Sequence, residues 1–93
     1  MPTVRQKIID LLSLHAMDAR ELSREAGIRE KEVVDHLAHI ARSLASKDKR
    51  LIIQPSRCFR CGYIFADRRR LTRPGRCPLC KSSHLQNPVF SII

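Results

Sequence analysis

The sequence predicts an α+β chain: three helices, then a small antiparallel sheet whose two strands are separated by a four-cysteine metal ribbon. Three observations carry that prediction. Apolar residues recur at helical spacing through the first half of the 93 residues. Two short β-branched runs stand at 51–53 and 89–93, and all four cysteines lie between them as two CxxC pairs.

Ninety-three residues make one domain, or two very small pieces sharing a core. Three Phe, one Tyr and no Trp are too few large side chains to hold a small cysteine lobe together, so a metal staple is expected there. No apolar run approaches the ~18 residues of a membrane-spanning helix. Nothing in the chain resembles a secretory signal, and a soluble, cytoplasmic protein is expected.

Thr3 caps a first helix, with Gln6 placed where a capping-box side chain reaches back to the cap nitrogen. Val4, Ile8, Leu11 and Leu12 form one apolar stripe with Ile9 beside it, and the helix ends near residues 13–15. Asp18 and Glu21 repeat the device for a short second helix through Leu22 and Ala26. Gly27 stops it, because glycine tolerates the left-handed conformation that often follows a helix end. In a third helix Val33, Leu37, Ile40 and Leu44 are spaced four, three and four apart, which is a core stripe. A helix followed by two more joined at a glycine-bearing turn is the helix-turn-helix arrangement, whose later helix can enter the major groove of DNA. A generic three-helix cluster with no nucleic-acid role fits the same spacing.

Lys47 to Arg50 is a charged connector. Leu51-Ile52-Ile53 and Val89-Phe90-Ser91-Ile92-Ile93 read as strands, with Pro55 and Pro88 closing their inner ends, since proline cannot donate to a ladder. The simplest topology pairs the two runs as antiparallel neighbours against the helices. Between them, Cys58 and Cys61 form one knuckle and Cys77 and Cys80 the other. Two residues between thiolates aim both sulfurs at one centre, and the second knuckle completes a tetrahedron, the spacing of a four-thiolate zinc site. A disulfide pair is disfavoured in a reducing cytosol, and a thioredoxin-type dithiol explains one CxxC but not two. Zinc leads, and Fe stays open because spacing does not separate the two metals. Gly62 follows the first knuckle, where amides turn toward sulfur. Tyr63-Ile64-Phe65 is a strand candidate, and Tyr63 with Phe65 can cover the metal. Residues 67–73 form a loop, and Pro74-Gly75 is a turn into the second knuckle.

Glu21-Leu22-Ser23, Gly27-Ile28, Val33 and His36-Leu37 with Ile40 resemble the helix-turn-helix pattern of prokaryotic winged-helix transcriptional regulators. Leu51-Ile52-Ile53-Gln54-Pro55, Cys58-Phe59-Arg60-Cys61-Gly62-Tyr63, Arg76-Cys77-Pro78-Leu79-Cys80-Lys81 and Asn87-Pro88-Val89-Phe90 resemble the small archaeal and bacterial predicted regulators that join a winged helix to a rubredoxin-like zinc ribbon. The resemblance spans nearly the whole chain and implies a winged helix-turn-helix fold, a bound zinc and a role in transcription. In a winged helix the two strands are joined by the wing, so the four-cysteine zinc ribbon is expected to be inserted in the wing. The resulting division is a helix-turn-helix core with the first wing strand over 1–54, a zinc-ribbon insertion over 55–87, and the returning wing strand over 88–93.

The net charge of +9 is placed unevenly. Seven cations cancel seven anions over residues 1–46, whereas eleven cations from Lys47 to Lys81 meet only Asp48 and Asp67. Closing four thiolates on a dication removes only about two of those charges. The favoured partner is therefore nucleic acid, double-stranded DNA first. Arg57, Arg60, Arg68, Arg69, Arg70, Arg73 and Arg76 are the expected phosphate contacts of the ribbon, and Arg29, Lys31, His36 and His39 are the candidates on helix three. A solvated face, or charge balance beside a dianionic metal centre, also accounts for the arginine run. Across Arg29 to Arg42 three cations meet three anions, so either Lys31 and the histidines read bases between anchors elsewhere, or this face meets a protein. His36 and His39, three apart, can also bind a metal, whereas His84 is expected to be solvated because four thiolates fill the shell. That closed shell leaves no position for water or substrate, so no enzymatic activity is expected. The expected function is a DNA-binding transcriptional regulator. The alternatives are a protein or RNA adaptor using helix three, the ribbon or an exposed strand edge, and a rubredoxin-like iron electron carrier; pairing into a homodimer stays open.

Overall fold

The computed structural model describes residues 3–66 and 70–93. Its elements run α1 (Val4–Leu14), β1 (Met17–Asp18), α2 (Ala19–Ala26), α3 (Glu30–Leu44), a 3-10 turn (Ala45–Lys47), β2 (Leu51–Gln54) and β3 (Val89–Ile92). Helix starts follow the expected chemistry with one correction. The Thr3 hydroxyl accepts the Gln6 N–H at 3.1 Å, but the Gln6 side chain donates to Asp10 at 3.0 Å instead of turning back to the cap. In a box the Gln6 amide oxygen would accept the cap N–H; here the Gln6 amide NH2 is drawn instead to a carboxylate one turn ahead on the same exposed face, a charge-assisted bond. At α2 the box closes: the Glu21 N–H reaches Asp18 Oδ1 at 2.8 Å, and the Asp18 N–H reaches Glu21 Oε1 at 3.2 Å. Gly27 ends the helix at φ +70, and the Ser23 hydroxyl donates to the Ile28 carbonyl across the turn.

The helical stripes meet in one core. Ile8 and Leu12 of α1, Leu22 of α2, and Val33, Leu37, Ile40 and Leu44 of α3 are buried together with Phe90 and Ile92 of β3. Phe90 is the largest fully buried side chain, so a residue far along the chain fills the space among the helices.

The sheet has the order β1-β3-β2 and is antiparallel throughout. The two runs expected to pair do so, with Leu51 opposite Ile92 and Gln54 opposite Val89. Arg50 and Ile93 extend the ladder, exchanging both backbone hydrogen bonds at 3.1 Å. Alternation along β3 turns Phe90 and Ile92 to the helices. Strand β1, Met17 opposite Phe90, was not among the expected elements. Two residues carry no periodicity, and Asp18 already serves as the cap of α2. Asn87 Nδ2 donates to Asp18 Oδ2 at 3.3 Å, tying the entry of β3 to the same corner.

The ribbon occupies the chain between β2 and β3 and has its own small core of Cys58, Cys77 and Leu85, against which Tyr63, Phe65 and Cys80 pack. Tyr63-Ile64-Phe65 is not a strand: only the bridge Arg57 to Ile64 forms. That bridge is flanked by hydrogen bonds from the Cys58 N–H to the Tyr63 carbonyl at 2.8 Å and from the Phe65 N–H to the Ser56 carbonyl at 3.0 Å, while Tyr63 and Phe65 meet edge to face at 5.0 Å and Ile64 is left exposed. Among the described residues no helix is long and apolar enough to cross a membrane.

Candidate metal centre and basic surface

Both knuckles are built alike. In the first, the Gly62 N–H donates to the Cys58 carbonyl at 2.9 Å and the Cys58 N–H to the Tyr63 carbonyl at 2.8 Å. In the second, the Lys81 N–H donates to the Cys77 carbonyl at 3.0 Å and the Cys77 N–H to the Ser82 carbonyl at 2.9 Å. The residue after each second cysteine is left-handed, Gly62 at φ +81 and Lys81 at φ +64. The glycine was legible in the sequence; the lysine, which takes the same conformation against its steric preference, was not.

These turns bring the four sulfurs together. Ligand atoms of Cys58, Cys61, Cys77 and Cys80 all lie within 4.8 Å of one another, with Cys58 to Cys80 at 3.5 Å and Cys61 to Cys77 at 3.4 Å. No sulfur is close enough to another to be a disulfide. A tetrahedron with Zn–S of ~2.3 Å has an edge of ~3.8 Å, so the cage fits Zn2+. The thiols support the same conclusion. The Cys61 N–H, helped by that of Arg60, outweighs burial and brings the Cys58 thiol down from 9.0 to about 6. Burial alone would raise Cys77, but the N–H groups of Cys80 and Leu79 and the adjacent sulfurs bring it below its ordinary value. The Tyr63 N–H favours the Cys61 thiolate, yet burial and the sulfurs of Cys77, Cys58 and Cys80 push it up to about 12. Four sulfurs this close cannot all ionise without a cation among them. Cys58 and Cys77 are fully buried while Cys61 is exposed, so the centre sits at the edge of its lobe.

The other candidates separate into groups. Arg57 and Arg60 border a groove along the first knuckle, and Arg76 stands exposed immediately before the second. Arg73 donates to the Ser83 carbonyl at 2.9 Å and so also braces the arm against the second knuckle. Arg70 is exposed, whereas Arg68 and Arg69, with Asp67, lie outside the described residues. On α3, Arg29 pairs with Glu32 at 3.4 Å, and Lys31 and His39 are exposed. His36 Nδ1 accepts from Arg5 Nε at 3.1 Å, and the four cysteines are the one group of three or more metal-ready side chains among the described residues.

One relation was not legible beforehand. Leu71 folds back onto the helical core, and the arm that carries it forms, with the starts of α2 and α3, a groove of about 730 Å³ lined by Arg20, Lys31 and Arg73 as well as Glu30 and Asp35. The structure thereby joins Lys31 of the helix with Arg73 of the ribbon. No local pattern signals this, because it depends on where the arm returns.

Residues 3–52 match the family model described as PF0610-like, N-terminal, and residues 55–93 match the PF0610 rubredoxin-like zinc beta-ribbon domain. The chain is also similar to the solution NMR structure of protein PF0610 from Pyrococcus furiosus, with 31% identity and a TM-score of 0.81 over 97% of this chain and 88% of that one. No curated protein matches the chain.

Proposed function

The chain belongs to the PF0610-like family, and from that premise we propose that it is a cytoplasmic, non-enzymatic DNA-binding transcriptional regulator. In this reading α1 to α3 with β2 and β3 are a winged helix-turn-helix, the zinc ribbon takes the place of the wing, and its arginines supply phosphate contacts. The observation that carries the reading is the insertion of the basic ribbon between two paired strands. A wing flanks the groove that the recognition helix enters, and a cation-rich wing adds affinity without sequence choice. The shared groove of Lys31 and Arg73 supports a surface in which helix and ribbon work together. The four-thiolate centre is structural here, since a closed shell offers no site for substrate.

Titration of duplex DNA at several salt concentrations tests the proposal. Binding should weaken steeply with salt, and Arg68→Ala, Arg69→Ala and Arg70→Ala together should reduce both affinity and salt slope. Absence of binding at low salt, or indifference to that triple substitution, would sink it.

A second reading has its own support. The outer face of α3 mixes Lys31 and Arg42 with Asp35, and β2 is an edge strand with Ile52 and Ile53 exposed. Such an edge can pair with a protein strand or a second copy. Retention of a protein partner after nuclease treatment would favour an adaptor over a regulator. An iron electron carrier is separated by colour, since a ferric four-thiolate site is red and a zinc site is colourless.

A further inference from the structure

Of the four aromatic residues, Phe90 is in the helical core and Tyr63 and Phe65 pack on the cysteines. Phe59 alone stands outside, 65% exposed. Its position is fixed from both sides. The Phe59 N–H donates to the His84 carbonyl at 3.0 Å, the Gln86 N–H to the Arg57 carbonyl at 2.8 Å, and Cys58 forms a bridge with Leu85. Cys58 is buried beside Leu85, and Phe59 follows it into the turn of the knuckle with its side chain exposed to solvent. Beside it lies a groove of about 480 Å³ bordered by Arg57, Phe59, Arg60 and Gln86, with the backbone of the knuckle as its floor.

A single exposed apolar side chain needs no explanation. An exposed aromatic side chain on a hydrogen-bonded backbone, lining one groove with two arginines and a glutamine, is a more specific arrangement. Aromatic rings interleaved with arginine bind unstacked bases, the ring taking the base face and the cations the adjoining phosphates, and an amide can bond a base edge. Residues 55–93 hold no acid besides Asp67, so no carboxylate on the knuckle repels a phosphate. We infer that the first knuckle is a stacking platform for one unpaired base, with Phe59 on its face, Arg57 and Arg60 on the flanking phosphates and Gln86 at its edge. This rests on the nucleic-acid reading above and adds to it a preference for DNA that is locally opened.

The test compares zinc-loaded protein on three DNAs of one sequence: an intact duplex, the same duplex with one bulged 2-aminopurine, and the single strand. The wild type should bind the bulged duplex more tightly than the intact one and quench the 2-aminopurine. Phe59→Ala should weaken binding to the bulged duplex roughly ten-fold and abolish the quench, while Phe59→Tyr keeps both. Zinc content should be unchanged in each variant. Leu79→Ala, which removes the exposed apolar residue of the other knuckle, should stay within about two-fold of wild type if stacking, not generic apolar surface, is at work. Equal affinity for bulged and intact duplexes, or full retention by Phe59→Ala, overturns the inference while leaving duplex binding standing. Tighter binding to the free strand than to the bulge identifies single strands as the source of the base. Absence of binding to all three overturns the nucleic-acid reading and this inference with it, and a protein partner that needs Phe59 would then take its place.

Discussion

The two halves of the chain reach order by opposite means. The helical half buries seven helix side chains around Phe90 and Ile92, and its stability scales with apolar area. The ribbon half has, among its described residues, a buried apolar cluster of no more than Cys58, Cys77 and Leu85. Its backbone is set by hydrogen bonds that aim sulfurs at a point, and its organising force is the cation that those sulfurs require. The first tolerates a change in one contact at a proportional cost; the second depends on four donors at once.

Metal removal should expose the difference most strongly. Structural zinc contributes on the order of 10 kcal/mol to small domains of this kind. A chelator should therefore erase the dispersed amide signals of residues 56–85 in an NMR spectrum while helical circular dichroism largely persists. Simultaneous loss of both would show the halves to be one cooperative unit. The mirror experiment is Phe90→Ala, which should cost about 3–5 kcal/mol and lower the thermal midpoint of the helices while zinc stoichiometry stays at one.

Zinc uptake should also be pH-dependent, with a defined sign. The raised Cys61 thiol, at about 12, keeps its proton through the neutral range, and that proton must leave when zinc binds. Affinity should therefore increase by at least about ten-fold per pH unit near neutrality. Cys58, brought down to about 6, gives up little above that value, so calorimetry in buffers of different ionisation enthalpy should count fewer than four protons released. The smallest effect compares the knuckles themselves. Gly62→Ala should cost about 1–2 kcal/mol, because a side chain at φ +81 is strained, although an added Cβ would meet nothing closer than the Arg57 guanidinium at 4.0 Å. Lys81→Gly relieves the same strain at the second knuckle, offset by the entropy of glycine, and should change stability by less than about 1 kcal/mol.

How far the sequence could be read follows from the same contrast. Caps at Thr3 and Asp18, the stripe from Val33 to Leu44, the pairing of β2 with β3 and the four ligands were legible because each depends on local spacing or on one obligatory chemistry. The rest depends on where distant segments return. β1 exists only because β3 comes to lie beside Met17 and Asp18. His36 meets Arg5 across two helices, Arg73 braces Ser83 across the ribbon, and Leu71 covers the core from outside it. Lys81 was obscured for another reason: the metal cage over-determines the backbone there, so the residue need not advertise its conformation.

The order of the chain gives β3 a further importance. It is the central strand and brings Phe90 to the helices, yet it emerges from the ribosome only after the ribbon has. Until then α1 to α3 surround a cleft lined with leucine, isoleucine and valine. Closing the ribbon on zinc shortens the free loop between Gln54 and Val89 and so lowers the entropy that docking β3 must overcome. Zinc closure of the ribbon should thus shorten the time for which a newly made chain presents that cleft to chaperones and proteases.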